Sequence, residues 1–237
     1  MKTIAFTVIQ NDMVMLNLWI KYYKRYFTKL FVVKWNTKPK YNGYFRKLEK
    51  VGIESEFVSK EDILRYGNAA GIRIYLQKKQ VEFFSTPNEY DWVLFTNCDE
   101  YLITTPKHKD LKDLMQINKD YINCTGYDVI QVEGENDLNF KKPILKQRKY
   151  WIKNNNYNKI LLSRVPLDWV DGLHKLGNMT DDESRKLRNQ GLYLVHLKHA
   201  DLNAKRDFGP EIGHHDPNIT QHWLKFKKKI PEYIKII

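Results

Sequence analysis

Four stretches in the first 103 residues have the pattern of buried strands: short apolar runs, rich in β-branched and aromatic residues, each bounded by polar residues. They are TIAFTVI (3–9), KLFVVKWNT (29–37), IESEFVS (53–59) and DWVLFTNCDEYLI (91–103). The segments between them carry apolar residues at helical spacing and are predicted as helices over 13–27, 41–52 and 61–85. Strands that alternate with helices predict right-handed crossovers and a mostly parallel sheet.

The pattern changes after this first part. A short helix is predicted over 109–117, and strands are predicted over 127–135, within 154–165 and over 191–202, where the strand enters a helix. These later strands do not alternate regularly with helices, which predicts mixed or antiparallel pairing. A chain of 237 residues suffices for one sizeable core. We therefore expect a single α/β domain over 1–237, with a mainly parallel central sheet and a smaller mixed or antiparallel C-terminal part.

The composition is globular and strongly basic. Hydrophobic residues make up 42% of the chain, whereas 40 lysines and arginines against 28 acids give a formal net charge of +12. This excess predicts attraction to an anionic partner, which leaves nucleic acid, an anionic membrane surface and a phosphorylated substrate as candidates. A solvated basic surface without a dedicated partner explains the same excess.

Targeting signals are not evident in the sequence. No run approaches the roughly 20 apolar residues of a spanning helix, and the first residues turn polar too early for a signal peptide, so we expect a cytoplasmic protein. The basic and aromatic C-terminal segment HWLKFKKKIPEYIKII (222–237) is compatible with a peripheral membrane contact or with a docked terminal helix. Cys98 and Cys124 fit neither a disulfide framework nor a zinc spacing and are predicted to be small buried residues.

Polar residues follow three of the four predicted strands. In a mostly parallel sheet the carboxyl ends of the strands meet at one edge, where ligands bind. Each residue by itself is ordinary turn chemistry, but together they predict a polar edge formed by Gln10, Asn11, Asp12, Asn36, Thr37, Asn97, Asp99 and Glu100.

The acidic pair Asp99–Glu100 ends an apolar run, and a buried strand rarely ends on acids unless a cation is close. Mg²⁺ and Mn²⁺ accept one or two protein carboxylates and take their other ligands from phosphate oxygens and water. The pair therefore predicts a divalent-cation site that bridges a diphosphate. The alternative is a loop in which the two acids pair with Lys107 or Lys109.

This motif and the start of the chain together resemble family 2 glycosyltransferases of the GT-A fold. The acidic motif of one branch reads Asp-x-Asp-Glu-Phe-Leu, and NCDEYL (97–102) occupies its place here. The opening IAFTVIQNDMVMLNLWIKYYKRYFTKLFVV (4–33) is similar to the strand, polar turn, Trp-bearing helix and second strand of that branch. The resemblance covers most of residues 1–103 and is thinner afterwards.

The resemblance implies transfer of a sugar from a nucleoside diphosphate donor to a hydroxyl acceptor on a glycan or glycolipid, assisted by Mn²⁺ or Mg²⁺. Residues 1–103 would then form the nucleotide-sugar-binding half, and 104–237 the acceptor half and tail. By the same resemblance Asp99 binds the metal, while Asn97 and Cys98 contact the nucleotide sugar. Asn97 replaces the first aspartate of the motif and adds no negative charge, which predicts weaker metal binding and leaves metal-independent binding open.

GT-A enzymes commonly complete the metal site with a histidine from the second half, and His196, at the end of the predicted strand over 191–202, has this position. A histidine that is hydrogen-bonded in the core is the alternative. His199, Lys205 and Arg206 follow within ten residues and are candidates to neutralise the diphosphate.

The resemblance also implies a general base for inverting transfer between the acidic motif and the terminal histidine. Asp171 is the predicted base and His174 an acceptor-binding residue, with the reverse assignment and a simple helix-cap or turn role left open. By the same resemblance, the residues around the ends of the first two strands contact the nucleotide: Thr7, Ile9, Asn11, Asp12 and Asn36. Arg73 and Gln77, on one face of a predicted helix, are further candidates, and the alternative for these two is a solvated helix face.

Two other classes of function are compatible with the sequence. The charge and the 32 aromatic residues (6 Trp, 15 Tyr and 11 Phe) suggest nucleic-acid binding, but the aromatics fall at core periodicity and no nucleic-acid motif is present, so we expect no nucleic-acid partner. The second alternative is a carbohydrate- or nucleotide-binding pseudoenzyme that lost its metal with Asn97.

Overall fold

A computed structural model describes residues 1–64, 71–170, 173, 175–180, 182–183, 186, 191–201, 225–232 and 234. The described helices are α1 (Met13–Tyr23), α2 (Asn42–Lys50), α3 (Lys60–Leu64), α4 (Gly71–Phe84) and α5 (Leu111–Leu114). The described strands are β1 (Thr3–Ile9), β2 (Lys29–Trp35), β3 (Glu54–Val58), β4 (Trp92–Phe95), β5 (Glu100–Thr104), β6 (Tyr121–Asn123), β7 (Thr125–Ile130), β8 (Tyr150–Lys153), β9 (Ile160–Ser163), β10 (Trp169–Val170), β11 (Lys175–Leu176), β12 (Leu192–His196) and β13 (Lys228–Lys229).

The first sheet has six strands in the order β3-β2-β1-β4-β9-β6. Its first four strands are parallel, and β9 and β6 extend it in antiparallel pairs. The four parallel strands come from the apolar runs of the first 103 residues, so the predicted parallel half is confirmed. The prediction of an α/β fold is also confirmed, because helices alternate with these strands and the later strands pair in mixed directions.

The second sheet has five strands in the order β13-β8-β7-β12-β5. Strand β12 lies between β7, to which it is parallel, and β5, to which it is antiparallel. Strands β10 and β11 form a separate antiparallel pair. The second sheet therefore combines one strand from the first half of the chain with four from the second.

Within 91–103 the sequence predicted a buried strand that ends on the acidic residues, and β4 does end at Phe95, just before them, but the second strand that follows was not predicted. The chain leaves the first sheet after β4, turns through residues 96–99 and enters the second sheet as β5. The acidic motif consequently follows the end of β4 and lies at the junction of two sheets. Periodicity did not reveal the break because both strands are fully or largely buried and read as one apolar run.

Several other element boundaries differ from the predictions. Helix α1 ends at Tyr23 instead of continuing to residue 27, and α5 is a single turn. Strand β12 ends at His196 and is followed by a turn over 197–200, while the chain beyond 201 up to 224 is outside the described residues. Strands β6 and β8 were not predicted because each has only three or four residues. Within the described parts of the chain, no helix has the length and apolar character needed to cross a bilayer.

Helix α1 connects the two sheets. Trp19 and Tyr23 are fully buried, and the Tyr23 hydroxyl both donates to the Glu100 carbonyl (3.1 Å) and accepts from the Leu102 amide (2.9 Å). The Tyr22 hydroxyl donates to the Leu102 carbonyl at 2.6 Å. The aromatic face of this helix therefore satisfies backbone groups at the start of β5, which fixes the strand next to the end of β4.

Candidate functional site

The turn over residues 96–99, which we call the acidic turn, links the two sheets. Trp19 donates from Nε1 to Thr96 Oγ1 at 2.8 Å, and the Tyr101 hydroxyl donates to the Cys98 carbonyl at 3.2 Å. Because β1 and β4 are adjacent and parallel, the acidic turn lies beside the carboxyl end of β1. Its position agrees with the expectation that polar residues at the ends of the parallel strands share one edge.

Glu100 anchors the acidic turn from inside the protein. Its Oε1 lies 2.6 Å from Lys159 Nζ, and its Oε2 accepts from the Asn97 amide at 3.1 Å. Burial opposes ionisation of this completely buried carboxyl, but the charges of Lys159 and His196 outweigh it and hold the pKa of Glu100 below its ordinary value. Glu100 is therefore a structural partner of Lys159, and the predicted pairing with Lys107 or Lys109 does not describe it.

His196 lies between two carboxylates at the end of β12. Its Nδ1 is 2.7 Å from Asp128 Oδ1, and its Nε2 is 3.6 Å from Asp99 Oδ2. Burial by itself lowers the pKa of His196, but the negative charges of Asp99 and Asp128 outweigh it and raise this pKa to about 9. The structure thus brings Asp99 and His196 together, although they are far apart in the chain.

Backbone register explains this cluster. In the second sheet His196 is directly opposite Glu100 on one side and Asp128 on the other. Directly opposed residues project from the same face of a sheet. The three ionisable side chains therefore share a face, and Asp99, one residue before β5, approaches the same imidazole.

The Asn-rich segment over 154–158 covers the other side of His196. The Tyr157 ring lies 4.4 Å from the imidazole, centroid to centroid, and Lys159 Nζ lies 4.7 Å from the centroid of the Tyr157 ring. A methyl group on Gly126 would meet Tyr157 Cβ at 2.3 Å, so only glycine permits this close approach of the segment to β7.

A carboxylate and an imidazole could together supply two protein ligands to a divalent cation. Two metal–ligand bonds of about 2.1 Å span at most about 4.2 Å, so one ion can contact both Asp99 Oδ2 and His196 Nε2 across their 3.6 Å separation. The described residues contain no group of three or more His, Cys, Asp or Glu ligands for a metal.

The predicted nucleotide contacts at the ends of β1 and β2 divide into buried and accessible groups. Thr7 and Ile9 are buried within β1, and Asp12 caps α1 by accepting from the Met15 amide at 3.1 Å. Asn11 is also buried, with Oδ1 accepting a backbone hydrogen bond from the segment after β2. Asn36 is exposed and has a positive φ of 47°. The end of β2 therefore turns sharply and presents Asn36 to solvent.

The sequence predicted Gln10 at this polar edge of the sheet but not among the residues that contact the nucleotide. Its side chain is 5% exposed, and its Oε1 is buried without a hydrogen-bond partner in the part of the chain that the structure describes. Buried polar atoms are paired in most proteins. Gln10 therefore carries an unpaired buried acceptor just beyond the carboxyl end of β1.

Arg73 and Gln77 share one face of α4, as their spacing predicts, and that face packs against β10 and the residues before it. Arg73 Nη1 donates to the Trp169 carbonyl at 2.7 Å, and Gln77 Nε2 donates to Asp168 Oδ1 at 2.9 Å. These contacts position the segment that leads to Asp171. A direct role for Arg73 or Gln77 in nucleotide binding stays a prediction.

Four predicted site residues lie outside the described residues: Asp171, His174, Lys205 and Arg206. Cys98 and Cys124 are both buried and neither forms a disulfide, which confirms the prediction that they are small buried residues.

Sequence reasoning missed Asp128, Lys159 and Tyr157. Asp128 alone had a usable signal, because it interrupts the otherwise apolar strand TGYDVI, and an acid in a buried strand requires a partner. Lys159 and Tyr157 lie in an Asn-rich segment with no distinguishing pattern.

Comparison of the chain with models of known protein families and with curated proteins found no match. By its fold, the chain is a mixed α/β protein. Four strands of its first sheet are parallel, and its second sheet contains both parallel and antiparallel pairs.

Proposed function

We propose that this protein is a nucleotide-sugar-dependent glycosyltransferase of the GT-A fold that uses Mn²⁺ or Mg²⁺. The observation that carries the proposal is the 3.6 Å approach of Asp99 Oδ2 to His196 Nε2 at the junction of the two sheets. A carboxylate and an imidazole that converge beside the carboxyl end of a parallel sheet form a suitable site for a cation that binds a diphosphate.

In this proposal the nucleoside lies along the carboxyl ends of β1 and β2. The exposed Asn36 and the half-buried Asn97 are available to the ribose or sugar. When bound, the metal supplies Lewis-acid stabilisation of the leaving diphosphate. Asp99 and His196 hold that ion, and Glu100 keeps the acidic turn in place through Lys159.

Asp171 is the proposed general base that removes the proton from the acceptor hydroxyl, and His174 the proposed acceptor-binding residue. Support for this part comes from the resemblance and from the anchoring of β10. Trp169 is fully buried and contacts Phe95, at a centroid distance of 5.7 Å, immediately before the acidic turn. The chain two residues before Asp171 is thus fixed next to the proposed metal site.

Isothermal titration with uridine and guanosine diphosphates, with and without Mn²⁺, tests the proposal. We expect binding of at least one nucleotide that Mn²⁺ strengthens, because Asp99 and His196 would hold the ion and its charge would attract the diphosphate. A nucleic-acid-binding protein would bind oligonucleotides without this metal effect. A pseudoenzyme would bind the nucleotide but leave the nucleotide sugar intact in the presence of acceptors. Absence of binding to any nucleoside diphosphate, cytidine and thymidine forms included, would contradict the proposal.

We propose further that the turn leading into β13 contacts an anionic membrane surface, which would bring the enzyme to a lipid-linked acceptor. Residues 225–229 are exposed in succession, and they comprise four lysines and Phe226, which is 58% exposed. Hydrogen bonding of β13 to β8 holds this segment on the sheet. Lysines near an anionic bilayer contribute about 1 kcal/mol each, and an exposed phenylalanine adds apolar contact.

Sedimentation with lipid vesicles measures this contact. We expect the protein to bind phosphatidylserine-containing vesicles and not neutral ones, and the double change Lys225→Glu and Lys227→Glu to abolish binding. The matched control reverses the same number of charges at Lys47 and Lys50 on α2, which are exposed elsewhere on the surface. Equal loss of binding in both variants would show that overall charge, and not this segment, is responsible.

A further inference from the structure

We propose that Asp128 is a positioning residue that presents His196 to the cation shared with Asp99. This inference rests on the proposed metal site but concerns a residue outside it. Asp128 is completely buried, and its Oδ1 lies 2.7 Å from His196 Nδ1. The opposite ring nitrogen, Nε2, is the one that faces Asp99. One imidazole nitrogen is thereby occupied within the protein, and the other is directed to the proposed ion.

The second oxygen of Asp128 is also occupied. Asn154 Nδ2 donates to Asp128 Oδ2 at 2.6 Å. With one oxygen on His196 and the other on Asn154, the carboxylate cannot rotate toward Asp99 without breaking a hydrogen bond. The geometry consequently favours an orienting role for Asp128 over direct metal ligation.

Asn154 is itself fixed to β7 by the segment that covers His196. The Asn154 amide donates to the Gly126 carbonyl at 2.9 Å, and the Gly126 amide donates to Asn158 Oδ1 at 3.0 Å. Gly126 precedes Asp128 by two residues on the same strand. The segment over 154–158 and β7 thus form one hydrogen-bonded unit around the carboxylate.

Tyr157 restricts the imidazole from a different direction. Its ring lies 4.4 Å from that of His196, so the histidine has a hydrogen bond at its edge and an aromatic ring against its face. A histidine held in this way binds a metal with its ring orientation already set, because the acceptor at Nδ1 keeps the proton on that nitrogen and the ion displaces the proton on Nε2. Carboxylates that hold metal-binding histidines typically contribute 10- to 100-fold to affinity, or about 1.4–2.7 kcal/mol.

The test measures Mn²⁺ affinity of the full chain in the absence of nucleotide, together with the electron spin echo signal of ¹⁴N coupled to bound Mn²⁺. The wild-type protein should show a directly bound nitrogen that disappears in His196→Ala. Asp128→Ala should lower Mn²⁺ affinity by about 10- to 100-fold and weaken the nitrogen coupling. Asp128→Asn keeps an oxygen acceptor for Nδ1 and should recover part of both.

Two further variants separate positioning from general stability. Asn154→Ala removes the partner of Asp128 Oδ2 and should lower Mn²⁺ affinity, whereas the matched control Asn155→Ala changes an exposed residue of the same segment and should not. Thermal unfolding of each variant without metal shows whether it is folded. If Asp128→Ala does not fold, Asp128→Asn, which preserves the shape of the side chain, replaces it in the affinity measurement.

The outcomes distinguish this inference from the proposed function. Mn²⁺ binding with a coupled nitrogen in the wild-type protein, but with unchanged affinity and coupling in folded Asp128 variants, would overturn the positioning role alone. Absence of Mn²⁺ binding by the wild-type protein, both alone and with nucleotide, would overturn the metal site and the positioning role together.

Discussion

Replacing Asp99 by asparagine is expected to abolish the metal-dependent part of nucleoside diphosphate binding and to reduce sugar transfer to background. The amide has the shape of the carboxylate but not its charge, and Asp99 is the single acidic group that faces His196 Nε2 among the described residues. Loss of a residue that only hydrogen-bonds to a metal ligand already costs about 10- to 100-fold, so removal of a direct ligand should lower Mn²⁺-dependent affinity by more than about 100-fold.

The measurement is titration of the nucleotide identified for the wild-type protein, with and without Mn²⁺, followed by an assay of sugar transfer. The variant Asp120→Asn, which removes an exposed acid at a distance in sequence from the acidic turn, is the matched control and should behave like the wild type. Urea unfolding should show a folded Asp99→Asn protein. A variant with normal metal-dependent binding would remove Asp99 from the metal site.

Replacing Lys159 by methionine is expected to destabilise the protein by about 3–5 kcal/mol, because loss of one partner leaves a buried charge without compensation. The side chains of Lys159 and Glu100 are 3% and 0% exposed, and their charged atoms are 2.6 Å apart. The double change with Glu100→Gln removes the buried charge as well and should recover part of the lost stability.

The pH dependence of this loss follows from the pKa of Glu100. In the wild-type protein this pKa lies below the ordinary value of 4.5, so the pair contributes stability above that value, which is lost as pH falls through the lowered pKa. In Lys159→Met, burial without the lysine favours the neutral acid and raises the pKa. The difference in unfolding free energy between wild type and variant should therefore be largest near neutral pH and become smaller toward acid pH.

Urea unfolding at a series of pH values measures both effects. The control is Lys29→Met, which breaks the ion pair with Glu54, whose side chains are 33% and 59% exposed. An exposed pair contributes at most about 1 kcal/mol, so this variant should lose little stability at any pH. An equally small loss in Lys159→Met would show that the pair does not anchor the acidic turn.

The parallel half of the fold was predictable because its signals are local. Strands β1, β2 and β3 are separated by segments with helical periodicity. Parallel strands joined by right-handed helical crossovers allow few sheet topologies. The junction after β4 was not predictable, because the apolar residues on both sides of the acidic turn are buried in different sheets but have the same local pattern. Short strands such as β6 also lack enough residues to show a period.

The candidate site was predictable only in part for the same reason. Asp99 follows an apolar run and His196 ends one, so each was a candidate metal ligand by itself. The resemblance to GT-A enzymes predicted that the two bind the same ion. Their actual partners depend on pairing between distant strands. Lys159 reaches Glu100 and Asp128 reaches His196 because of the register of the two sheets, which no local pattern specifies.

The sequence by itself determined the α/β class, the polar carboxyl edge of the parallel strands and the chemical types of the groups near it. These features follow from periodicity and residue type, which act over short distances along the chain. Only the tertiary structure decided that Glu100 pairs inward with Lys159, that Asp128 holds His196, and that Asp99 is left facing the imidazole. The physical reason is that a buried charge is tolerated only where a partner lies within a few ångströms, and that partner comes from a strand remote in sequence.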